Sequence, residues 1–154
     1  MDSMEELEDE AFQNNVSIVN YSFESDRIKA LYCDGTVALS DSLKDNTERK
    51  CILAEEIGHH YTAIGDITGN DDNSHKQELR GRVFAYDKLI GINGILRAYQ
   101  HGCKSLHETA AYLEVTESFL SDALKKYRQK YGIYTTIDNY VIYFEPYLGV
   151  LELI

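Results

Sequence analysis

Tryptophan is absent from this chain of 154 residues, proline occurs once and cysteine three times. A single proline excludes proline-rich linkers. Cys33, Cys51 and Cys103 are odd in number, widely spaced and without a C-x-x-C pair, which predicts reduced thiols in a cytoplasmic protein rather than a disulfide frame or a zinc ribbon. No apolar run has the length of a membrane span, so a soluble chain is expected. Positive charge is also scarce: 15 Lys and Arg stand against 26 Asp and Glu, a net charge of −11. Such a balance repels a phosphate backbone, which argues against DNA or RNA as a general partner and fits a cation site or a basic partner. The start of the chain, with six carboxylates between Asp2 and Glu10 and no base, is unlike a signal peptide and reads as an acidic, solvated, partly helical lead-in.

Hydrophobic residues make up 44% of the chain, enough for one domain with a sizeable core. Val16 to Phe23 is rich in β-formers. Arg27–Cys33 and Thr36–Ser40 flank Asp34-Gly35, a two-residue turn signal that predicts a hairpin within a small antiparallel sheet. Asp45-x-x-Glu48 has the form of a capping box and opens a helix running to about Ile64. The polar stretch Gly65–Ser74 reads as a loop carrying Asp66, Asp71 and Asp72, without the spacing of a calcium loop. Helical pattern resumes from His75 to Ile90, breaks at Gly91–Gly94 and continues to about Tyr99. Ser105-x-x-Glu108 is a second capping box, and Thr116 caps a further helix. Two helices joined so tightly read as a helix-turn-helix. Its basic end (Lys125, Lys126, Arg128, Lys130) is offset by Glu117 and Asp122 where base contacts would be made, which argues against DNA as its ligand. Tyr140–Phe144 is a late strand, and the apolar tail Leu148–Ile154 is expected to pack on something.

The chemistry concentrates in Ile52–Thr62. At helical periodicity Leu53, Ile57, Tyr61 and Ile64 form an apolar stripe, while Glu55 and His59, four residues apart, point away from it and Glu56 lies beside them. Side chains at that spacing have Cβ atoms about 5–6 Å apart, close enough to share one metal ion, and the intervening carboxylate is placed to act as general base on an attacking water. The pattern is E-E-x-x-H-H rather than H-E-x-x-H. A second register pairs Glu56 with His60, although His60 borders the apolar stripe. The same residues also suit a plain solvated helix face.

The order of motifs resembles the ImmA/IrrE family of metallopeptidase-like proteins of bacteria and mobile elements. The family pattern A-H-E-L-G-H, followed on a second helix by E-x-x-A-x-x-F-A, is matched by Ala54-Glu-Glu-Ile-Gly-His59 and by Glu78-Leu-Arg-Gly-Arg-Val-Phe84-Ala85. The resemblance covers about residues 16–100. It implies an α+β, zincin-like fold, with a metallopeptidase-like domain over 1–100 and a helix-turn-helix-like extension with a C-terminal strand over 101–154 that packs on it and closes one side of a cleft. It makes His59 and Glu78 metal ligands, Glu56 the catalytic base and Glu55 a carboxylate in place of the first histidine ligand, with His60 as the alternative ligand. Zinc is the implied ion, and the oxygen-rich set also suits manganese. The implied activity is a limited cut in a repressor or regulator protein of a prophage or other mobile element, typically a helix-turn-helix factor; the alternative is a peptidase-fold protein that regulates such a repressor by binding. Gly81 stands where the family has Ala and permits close helix packing.

Overall fold

The computed structural model describes residues 3–65 and 71–154. They form a mixed α+β structure of two compact units, Met1–Ala85 and Tyr86–Ile154. The division falls at 85/86, where the sequence had suggested residue 100.

In the first unit the acidic lead-in is helix α1, Ser3–Gln13, and it is docked rather than solvated. Leu7 and Ala11, one helical turn apart, are buried on the side facing α2, Asn46–Gly65. Glu5, Glu6, Glu8 and Asp9 are exposed, which is why composition alone suggested a free tail. The buried Lys50 of α2 donates to Ser3 Oγ at 2.8 Å, and Tyr61 donates to Glu10 Oε1 at 3.0 Å.

Three strands follow α1: β1 Ser17–Tyr21, β2 Ala30–Cys33 and β3 Thr36–Ser40. The hairpin between β2 and β3 turns at Asp34-Gly35, whose φ angles of 47° and 79° are the left-handed values that this dipeptide tolerates. The sheet is not wholly antiparallel as expected. Its order is β1-β3-β2, and β1 runs parallel to β3. Since β2 reverses the chain and β3 reverses it again, β3 regains the direction of β1 and inserts beside it. Val37 and Leu39 of this central strand are fully buried.

α2 begins where the capping signal placed it, with Asp45 Oδ1 accepting from Thr47 N at 2.9 Å. Leu53 and Ile57 are fully buried, and α2 lies on β2 and β3. α3 spans Asp71–Leu89, so residues 71–74 are helical rather than loop. Acidic residues suit a helix N-terminus, where carboxylates meet the positive end of the dipole, as well as they suit a loop. Asp66 lies outside the described residues.

In the second unit α4 spans Gly91–His101. Gly91, with φ of 63°, confines the expected break to one residue, and Gly94 is inside the helix, where an added Cβ would sit 3.3 Å from Leu113 Cδ2. A short helix α5, Leu106–Leu113, and the longer α6, Glu117–Tyr131, are joined through Glu114 in the left-handed region. Both predicted caps form: Ser105 Oγ accepts from Glu108 N at 3.0 Å and Thr116 Oγ1 from Phe119 N at 3.0 Å. The buried Tyr127 ties α6 to the start of α4, donating to Asp87 Oδ1 at 2.9 Å and accepting from Gly91 N at 3.2 Å.

The late strand is β5, Tyr140–Tyr143, at the centre of an antiparallel sheet with β4, Tyr134–Ile137, and β6, Gly149–Glu152. β6 is the apolar tail. It pairs with β5 along one edge, yet Leu151 and Ile154 remain exposed. Among the described residues no helix is long and apolar enough to cross a membrane.

Candidate functional site

Helices α2 and α3 meet at two glycines. A Cβ at Gly58 would collide with the Gly81 carbonyl oxygen and lie 2.9 Å from Gly81 C. A Cβ at Gly81 would collide with His59 Cδ2 and lie 3.1 Å from its Nε2. Backbone therefore approaches backbone, and the missing Gly81 side chain leaves the room that the His59 ring occupies. Gly81 thus bears directly on the predicted metal ligand. Phe84, one turn further along α3, packs edge-on against Tyr61 of α2, with centroids 5.1 Å apart.

Four of the predicted residues act on one another here. His59 Nδ1 lies 3.3 Å from Glu56 Oε2, with the side chains 28% and 13% exposed. This contact is the main reason the His59 pKa is raised. Partial burial opposes the shift, and the charges of Glu56, Glu55 and Glu78 reinforce it. Glu78 of α3 therefore shares a neighbourhood with the two glutamates of α2. Its side chain is half exposed and accepts from Arg82 Nη2 at 2.9 Å, one helical turn on.

His59 Nε2 is buried and has no hydrogen-bond partner among the described residues. A buried polar nitrogen in that state is costly, and it suits a ligand that binds at nitrogen. Carboxylates that hold a proton on an imidazole would also favour a metal cation there, once the ring is deprotonated. The donor set fits a divalent ion on these grounds: one imidazole nitrogen from His59 and carboxylate oxygens from Glu55 and Glu78. As the side chains stand, no three His, Cys, Asp or Glu groups among the described residues converge on a single metal position. Closing such a site requires Glu78 to exchange Arg82 for the ion.

His60 lies elsewhere. It is 7% exposed, and its Nδ1 is 2.7 Å from the Tyr32 hydroxyl of β2, with the two rings edge to face. Its place on the sheet side of α2 favours the register with Glu55 and His59 over the alternative with His60 as ligand. Tyr32, which fixes this ring, had no motif around it, and only strand pairing brings it to α2. His75 is exposed on α3, and His107 is an exposed partner of Glu117 at 2.8 Å. His101 stacks on Tyr112, with centroids 4.5 Å apart. Cys51 is a buried residue of α2 itself.

No family model, no curated protein and no solved structure matches the chain.

Proposed function

We propose that the chain is a metal-dependent endopeptidase with a zincin-like core, making a limited cut in a regulator protein. The observation that carries this reading is the buried Nε2 of His59, which has no hydrogen-bond partner among the described residues, in a setting where Glu55, Glu56 and Glu78 all favour a cation. His59, Glu55 and Glu78 would hold zinc, or manganese given the oxygen-rich set. A bound divalent ion supplies Lewis acidity toward the scissile carbonyl. Glu56, already against His59, takes the proton of the attacking water and returns it to the leaving amine. Gly81 keeps the His59 ring in place by leaving its edge uncrowded. The resemblance supplies the substrate class, a helix-turn-helix repressor of a prophage or mobile element. Like the family identity itself, it rests on the paired motifs around His59 and Glu78.

A second reading has its own observation. The Glu78–Arg82 pair occupies the third ligand, which favours a peptidase-fold protein that regulates the repressor by binding alone. One experiment separates the two. The chain, loaded with Zn²⁺ or Mn²⁺, is incubated with its cognate repressor and the products are read by mass spectrometry. A discrete cut that is lost in Glu56→Gln, with repressor binding retained, supports the peptidase. An intact repressor that stays bound by both proteins supports the binder.

A further inference from the structure

The second unit contains a groove of about 680 Å³, within the size range of small-molecule sites, which shares no residue with the candidate site around His59. One wall is a single face of α6, where Ser121, Leu124, Lys125 and Arg128 recur at helical spacing. The other is the segment from Phe144 to Val150 that leads into β6. Buried Ile95, Thr109 and Phe144 contribute to its base.

Its charge runs against that of the chain. Lys104, Lys125 and Arg128 line the groove and no Asp or Glu does, in a protein with 26 acidic and 15 basic residues. Two carboxylates stand at its margin: Glu108 Oε2 accepts from the Lys104 backbone N–H at 3.0 Å, and Glu145 lies 3.7 Å from Arg128 Nε, with both side chains of that ion pair about half exposed. A surface pair of that kind is weak and readily exchanged for another anion. An apolar cleft with cations and no lining carboxylate selects an anion with an apolar body. We infer that this groove binds a small amphipathic carboxylate, its chain lying among Leu124, Phe144 and Val150 and its head group meeting Lys125 and Arg128. A neutral chain would lose the charge contact, and a cationic one would be repelled.

The test is isothermal titration calorimetry of the full chain with decanoate, decanol and decyltrimethylammonium below their micelle concentrations. The expected result is saturable binding of decanoate at about one per chain, at least about tenfold weaker for decanol and absent for the ammonium. Lys125→Glu with Arg128→Glu should lower decanoate affinity by at least about tenfold. Gly149→Leu provides a second, steric variant. Gly149 lines the groove, and an added Cβ there meets no atom within 4 Å, so a larger side chain starts without a clash and is expected to narrow the site. Circular dichroism checks the fold of each variant. Equal affinity for all three chains, binding that survives both the charge reversal and Gly149→Leu, or no saturable decanoate binding would each overturn the assignment.

Discussion

His59 and His60 are successive residues of α2, and the faces they belong to have opposite polarity. His60 turns toward the sheet, is nearly fully buried and is met by the Tyr32 hydroxyl. His59 turns toward α3, where three glutamates act on it and one ring nitrogen is buried with no partner among the described residues. Adjacent identical side chains thus have different chemistry because one helical step, about 100°, turns the second from the α3 side to the sheet side of α2. A histidine satisfied by a neighbouring strand is explained by packing. One whose buried nitrogen has no partner among the described residues, beside several carboxylates, is the basis of the metal proposal.

The sharpest way to break this contrast is at the helix crossing. Gly58→Ala would drive a methyl into the Gly81 backbone, which cannot swing aside as a side chain does. We expect a loss of about 3 kcal/mol, read from urea denaturation, and with it the environment of both histidines. Tyr32→Phe acts on the core face alone. It removes the hydroxyl from His60 Nδ1 and should cost about 1–2 kcal/mol while leaving metal content unchanged. A fall in metal content in this variant would move His60 into the site.

Glu56→Gln acts on the other face. In the metal-free chain the His59 pKa is raised, first by its bond to Glu56, so the protonated ring is favoured by folding. The resulting stability is complete below the ordinary histidine value and is lost as pH rises through the raised one. Glu56→Gln should lower the His59 midpoint in an NMR titration and remove most of that pH dependence. An unmoved midpoint would mean that Glu56 is not the principal partner. Smallest in stability is Arg82→Ala, within about 0.5 kcal/mol because the pair with Glu78 is exposed. Its value is functional: freeing Glu78 should strengthen metal binding, read by competition with a chromophoric chelator. Weaker binding instead would give Arg82 a supporting role.

Local signals were legible in the sequence, and longer-range ones were not. Asp45, Ser105 and Thr116 announce helix starts because a cap is a contact across two or three residues. Asp34-Gly35 announces a hairpin for the same reason. The parallel pairing of β1 with β3 was hidden, since it depends on which strand inserts between which. β4 and β6 were missed as strands: Tyr134–Ile137 is short, and Gly149–Glu152 looked like a tail until its pairing with β5. In the site, the i, i+4 spacing alone puts Glu55 and His59 on one face of α2. It could not show that Gly81 makes room for the His59 ring, or that Arg82 holds Glu78, because both are contacts across or along a second helix.

The most direct test of the central claim is metal content by inductively coupled plasma mass spectrometry, on protein purified without chelator or nickel resin, comparing wild type with His59→Ala and Glu78→Gln. The account predicts about one zinc or manganese per chain in the wild type, lost in His59→Ala and reduced in Glu78→Gln. A wild type that takes up neither ion after incubation with both, or a His59→Ala variant that keeps its metal, would contradict it.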